Sequence, residues 1–375
     1  MSQPRTPRTL PPGRFPVPML ATALAFLLAA CAPAAAPVAA PAKPAAAPAQ
    51  ATGAPANPAT APAPAAPAAQ PADKVYRVGI TQFFSHPVID DVREGFIEGL
   101  NSSGFVDGQN VRYDMQNAQF SMDNLRAIAQ KFQADRPDLV FAITTPAALA
   151  TLGVITDIPV VFGLVTDAKA AGILKDTERP DRNTTGVVNW WPTDKQLAAI
   201  KTVLPNVRRL GVPYNTGEAN SRSQMDAYRR EAPALGLEIV EASATNSNEV
   251  QAAVQSLVGR SDALMIIGDN TIQAAIGVVL KVGFDNNLPV VSSDPENAKD
   301  GALTGWGIQQ RQAGVQAGEL AARLLKGAKV EDTPVELPRH YWWTANTAAA
   351  QRLGITIPAD VMRQIDQVYD TMQVQ

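Results

Sequence analysis

From Val75 to Leu325 the sequence repeats one short unit. A run of apolar and β-branched residues meets a stop of hydroxyl, amide or acidic residues, and a stretch of helical period follows. Leu139-Val140-Phe141-Ala142-Ile143 is apolar at every position, the pattern of a strand covered on both faces. Thr144-Thr145-Pro146 stops it, and Ala147 to Leu152 begins a helix. Pro159 to Val165 is a second buried strand. Before them lie a strand at Tyr76–Ile80, a helix at Asp91–Gly99 with Val92, Phe96 and Ile97 on one side, and a strand at Asn110–Met115. The helix Ser121–Gln133 aligns Leu125, Ile128 and Phe132, with Ser121 as its N-cap. Strands joined through helices run parallel, so the unit dictates an α/β fold.

A second series starts after Asn183–Val188. It reads as helix Thr193–Leu204, strand Arg209–Tyr214, helix Ser221–Leu235, strand Leu237–Ala242 and helix Asn248–Val258. Strand Ala263–Ile267, helix Thr271–Val282, strand Leu288–Ser293, a connection at Ala302–Ile308 and helix Arg311–Leu325 follow. The series match in order and size, which predicts two similar Rossmann-like lobes with parallel sheets rather than one long sheet. A single core stops growing at roughly 250–300 residues, in keeping with two lobes. Tyr341–Thr344 is strand-like and Ala348–Leu353 a short helix, and they complete the second lobe by a third crossing. The expected lobes are 73–187 with 305–333, and 188–304 with 334–375.

The first 72 residues obey different rules. They hold 17 of the 31 prolines. Arg5, Arg8 and Arg14 precede an apolar stretch from Val17 to Ala30, too short for a transmembrane helix but suited to the core of a secretory signal, 1–30. It ends Leu28-Ala29-Ala30-Cys31, which resembles the bacterial lipobox, whose cysteine is acylated. Cys31, the one cysteine, is thus the expected lipid anchor, holding the exported protein on the membrane. Residues 31–72 follow as an Ala/Pro tether, since proline blocks helix interiors and alanine buries too little to offset chain entropy. Loss of 1–30 takes the formal charge from −3 to −6, which argues against nucleic acid as a partner.

No catalytic signature is present: no GxSxG, P-loop, GxGxxG, HExxH or CxxC. Two histidines, His86 and His340, leave no basis for a histidine-rich metal site. The expectation is a protein without enzymatic activity, metal or cofactor. What recurs is polar residues just past strand ends: Phe84-Ser85, Thr144-Thr145, Thr166-Asp167, Asn215 to Glu218, Asp269-Asn270 and Ser293-Asp294. In open parallel sheets ligands bind at the carboxyl ends of strands. Each such residue is also an ordinary helix cap or turn former; six such ends on two facing lobes favour a ligand cleft.

The stretch 75–355 resembles the bacterial ABC-transporter substrate-binding protein family that includes tryptophan and tyrosine uptake proteins. The residues that carry it are Val78-Gly79-Ile80, Ser85-His86-Pro87, Gly95-Phe96, Gly99-Leu100, Ala142 to Ala148, Ile158 to Phe162, Tyr214 to Ser221 and Gly268 to Thr271. The resemblance implies the type I periplasmic-binding-protein fold, with three crossovers and a cleft that closes on ligand, and a membrane permease as partner. Thr216 departs from the proline common there, and the pairs Trp190-Trp191 and Trp342-Trp343, with Trp306, are unusually aromatic near the expected crossings.

An amino-acid zwitterion fits such a cleft. Thr145 and Thr166 are the expected donors to its carboxylate. Asp269, or else Asp294, is the expected partner of its ammonium, and Phe84 or a hinge tryptophan would stack on an aromatic side chain. Ser85, Asn215 and Asn270 complete the candidate set. A sugar or nucleoside-like ligand, or a periplasmic sensor lipoprotein, are the alternatives.

Overall fold

The computed structural model describes residues 74–373. The signal, the lipobox at Cys31 and the tether lie outside the described residues. Lobe 1 alternates β1 (Tyr76–Gln82), α1 (Pro87–Ser102), β2 (Val111–Asn117), α2 (Met122–Asp135), β3 (Leu139–Ile143), α3 (Thr145–Leu152), β4 (Val160–Val165) and β5 (Thr184–Val188). Its parallel sheet runs in the order β2-β1-β3-β4-β5. All five residues of β3 are buried, as its unbroken apolar run dictates. Ser121 caps α2 by accepting from the Asn124 N–H at 3.2 Å. α1 begins earlier than its apolar spacing suggested, because His86 caps it and Pro87 occupies the first turn, where a missing N–H costs nothing.

Lobe 2 continues with α4 (Thr193–Val203), β6 (Arg209–Tyr214), α5 (Ala219–Glu231), β7 (Glu238–Ser243), α6 (Val250–Leu257), β8 (Ala263–Ile266), α7 (Asn270–Gln273), α8 (Ile276–Asp285), β9 (Val290–Ser292), α9 (Asn297–Asp300) and β10 (Thr304–Ile308). Its first five strands take the order β7-β6-β8-β9-β10, the same as lobe 1. The helix expected over Thr271–Val282 is two, broken at Ala274 and Ala275. After β10 the chain returns to lobe 1 as α10 (Gln310–Leu325), then comes back as β11 (Tyr341–Asn346), α11 (Thr347–Arg352), α12 (Ala359–Met362) and β12 (Gln367–Tyr369). β11 is antiparallel to β10, and β12 closes that edge.

Two expected boundaries shift. Residues 305–308 belong to lobe 2, because β10 pairs with β9 and β11; the crossing falls at Gln309. Residues 334–336 stay with lobe 1, where the Val188 N–H donates to the Glu336 carbonyl and the Glu336 N–H to the Gly186 carbonyl. The three crossings are therefore 189–192, Gln309 and 337–340.

Helix α10 packs on α1 backbone against backbone. A Cβ on Gly95 or Gly99 would collide with the carbonyl oxygens of Arg311 or Val315, and one on Gly314 or Gly318 with those of Val92 or Phe96. Only glycine permits that approach. No helix among the described residues is long and apolar enough to cross a membrane.

Candidate functional site

The carboxyl ends of the two sheets face each other across a cleft of about 520 Å³, counted out to its mouth. The lobe 1 wall is built at the ends of β1, β3 and β4. Phe84 stands edge-on to Phe120 at 5.1 Å and to Phe83 at 6.0 Å, with Val88 and Ile89 beside it. β4 slips register between Phe162 and Val165, and the bulge turns Leu164 into the left-handed region at φ +54° with its side chain on the cleft. Thr144 is more strained, at φ +91° and ψ 155°, a region that costs a β-branched residue on the order of 1–3 kcal/mol. Its N–H donates to the Gly163 carbonyl at 2.9 Å. Its hydroxyl is buried without a hydrogen-bond partner.

The lobe 2 wall is polar. Asp269, at the end of β8, caps α7 through the Ile272 N–H at 2.9 Å. It also accepts from the Asn215 N–H and the Ser221 hydroxyl, both at 2.6 Å. Burial and the nearby Glu218 push its carboxyl up to about 7. Glu218 accepts from the N–H and side chain of both Asn270 and Thr271, and from the Asn220 amide. Asn220 also donates to the Gly268 carbonyl at 2.8 Å, which leaves its Oδ1 buried and unpartnered. Asp294, past the end of β9, is held well above the usual carboxylate range by burial and by Glu296.

Residues of the crossings floor the cleft. Asn189 accepts from the Gln310 amide at 3.3 Å, and the Gln310 Oε1 is buried without a donor. Trp191 donates its indole N–H to Gln196 at 2.9 Å. Among the described residues, two bonds between side chains join the lobes directly: Gln224 to Thr166 at 3.2 Å and Ser223 to Asp167 at 3.3 Å.

Five of the eight sequence-selected ligand residues therefore line one cleft: Phe84, Thr166, Asp269, Asn270 and Asp294. Ser85 does not; it is exposed and its hydroxyl accepts from Gln82 and Asn117. Thr145 and Asn215 face a wider outer hollow, with Met122, Leu149 and Arg222. The strain at Thr144 turns its own side chain inward and rotates Thr145 away. The Asn215 side chain is engaged by Thr271, Gly217 and Thr245. Of the tryptophans only Trp191 lines the cleft. Trp190 packs on the lobe 1 core, Trp306 stacks on Tyr341 at 5.7 Å, Trp343 bonds Thr304, and Trp342 borders a separate hollow. Thr144, Leu164, Asn189, Asn220 and Gln310 join the five selected residues on the cleft; Thr144 and Asn220 stand inside the family-like motifs, but nothing in their spacing tells which way they point.

An unpartnered hydroxyl, two unpartnered amide oxygens and an uncompensated acid around an aromatic-sided cavity suit a small polar ligand with an apolar side chain. The family described as ABC transporter substrate binding protein matches residues 77–369. A tyrosine-binding protein of Clostridioides difficile is 39% identical over 70% of this chain and 76% of its own. A conserved domain protein of Vibrio cholerae superposes with a TM-score of 0.77 at 33% identity, over 79% of this chain and 100% of its own. A Streptococcus protein in complex with L-Trp does so at 0.76 and 32%, with the same coverage. A ligand-free, open substrate-binding protein with adhesive properties from Clostridium difficile is more alike in sequence, at 37%, yet less in shape, at 0.63 over the same shares. The chain belongs to the ABC transporter substrate-binding protein family and has its two-lobed type I periplasmic-binding fold.

Proposed function

We propose that the protein is the extracytoplasmic, lipid-anchored receptor of an ABC importer and that it takes an aromatic amino acid, tyrosine or tryptophan. The observation that carries the ligand class is the convergence, in one cleft, of unpartnered polar atoms on Thr144, Asn220 and Gln310 with the buried acid Asp294, beside Phe84 and Trp191. The tyrosine-binding and tryptophan-bound relatives support the same choice. The hydroxyls of Thr144 and Thr166 are the donors for the ligand carboxylate. Asp294 takes the ammonium, assisted by the Asn220 and Gln310 side-chain oxygens. Asp269, the first choice from sequence, is the weaker candidate, because three donors already occupy its carboxylate. Ligand contacts on both walls stabilise the closed state over the open one by their differential affinity. Anchoring at Cys31 and delivery to a permease rest on the lipobox-like sequence and on the family.

A calorimetric screen of the twenty amino acids with representative sugars and nucleosides tests this. L-tyrosine or L-tryptophan should bind tightest, and Asp294→Asn should weaken that binding about 100-fold, on the order of 3 kcal/mol. A sugar or nucleoside that outcompetes both amino acids would overturn the ligand assignment.

A further inference from the structure

Behind the cleft wall, Asp294 has a second acid against it. Burial holds both carboxyls above their ordinary values, and the neighbouring Glu296 charge raises Asp294 further. Beyond that they have little help. Asp294 accepts from the Glu296 N–H at 3.2 Å, and Glu296 from the Gln310 N–H at 3.4 Å; the other Glu296 oxygen is buried with no partner. Neither acid is in a salt bridge among the described residues. The groups packed around the pair are His86 and Asp91 at the start of α1, Lys299 and Asp300 on α9, Arg311 on α10 and Tyr369 on β12. Arg311 is committed to Glu94 and Glu98 on the outer surface. Asp91 adds further negative charge. Two desolvated carboxyls so placed cannot both ionise.

We propose that Glu296 is the residue that sets the charge selectivity of the cleft: it shares one proton with Asp294 while the cleft is empty, and an entering ammonium group displaces that proton to solvent. The exchange balances: one positive charge enters on the ligand and one leaves as the proton, so both acids end ionised around a cation and the buried charge does not grow. A ligand without a cationic group leaves the proton in place and gains nothing from Asp294. The inference rests on the amino-acid reading above. It adds Glu296, which lines the hollow behind the cleft, as a positioning residue acting through Asp294.

Calorimetry of L-tyrosine and L-tryptophan in buffers of different ionisation enthalpy, between about pH 5.5 and 7.5, counts the protons released. A free amino acid stays zwitterionic across that range, so any proton comes from the protein. We expect close to one proton released per ligand at the acid end, and affinity rising up to about tenfold per pH unit there. Glu296→Gln, which supplies Asp294 with an amide donor in place of the shared proton, should bind the same ligand with no release and a flat pH profile. His86→Gln should leave the release intact. Binding by the unmutated protein without proton release would overturn the proposal while sparing the amino-acid assignment. Release that persists in Glu296→Gln would show that the proton does not depend on Glu296 and overturn it equally, and release lost in His86→Gln would do so in favour of the imidazole. Failure of every amino acid to bind would instead sink the ligand reading. If Glu296→Gln does not fold, the buffer series on the unmutated protein still decides.

Discussion

The two lobes repeat one strand order yet hold their halves of the cleft by different means. Lobe 1 does it with backbone. Five of the six non-glycine residues with positive φ among the described residues are Gln119, Phe120, Arg136, Thr144 and Leu164, all in that lobe, and two of them line the cleft. Lobe 2 has one, Asn287, at the far end of its sheet. There the wall is held by carboxylates: Glu218 gathers five donors and Asp269 three. The lesson is a division of labour. A strained turn can aim one small hydroxyl and an aliphatic face at a side chain. A saturated carboxylate network can hold amide and acid groups at fixed spacing.

That contrast can be broken at three points. The largest effect is expected at Asp269→Ala, which strands two backbone N–H groups and the Ser221 hydroxyl in a buried site. Chemical denaturation should register a loss of about 3 kcal/mol. The same residue carries a pH signature. Its folded carboxyl titrates at about 7, above the unfolded value, so the folded state keeps a proton that the unfolded chain has lost. Its contribution is complete below the unfolded pKa, falls as pH rises from about 4, and is gone past 7. Asp269→Asn should remove that slope from a plot of Tm against pH.

On the other wall the expected signs separate. Thr144→Gly relieves the positive φ and deletes an unpartnered buried hydroxyl, so Tm should rise or hold while affinity for the amino acid falls about tenfold. A fall in both would show that strain is not how lobe 1 is organised. The smallest effect lies at the crossing between them. Trp191→Phe loses the bond to Gln196, about 1 kcal/mol of stability, and should abolish most of the ligand-induced change in tryptophan fluorescence. A change that survives would move the reporter to Trp190 or Trp306.

How much of this the sequence reveals divides along the same line. The strand–helix alternation exposes the paired lobes, because apolar period and stop residues are local properties: β3 is a five-residue apolar run and Ser121 caps where its spacing demands. Phe84, Thr166, Asp269, Asn270 and Asp294 could be selected because they follow strand ends, where topology puts ligands. Thr144 and Thr145 are indistinguishable in sequence; what separates them is a dihedral angle set by the bond to Gly163 in a neighbouring strand. Gln310 sits at the start of a helix whose membership in lobe 1 depends on where β10 ends. β10 looks like a connection in sequence; Thr304-Gly305-Trp306-Gly307-Ile308 carries two glycines, which weaken the strand pattern.

The glycine seam between α1 and α10 bears on the order in which the molecule can come together. Residues 76–188 contain every strand of lobe 1 but not the helix that fills the groove of Gly95 and Gly99. That helix arrives only after the whole of β6 to β10 has been made. Lobe 1 therefore cannot finish folding as its own segment emerges; its last piece is delivered by its neighbour. The two halves are completed together, and a chain cut after Val188 would leave a glycine-lined trench open to water where a helix belongs.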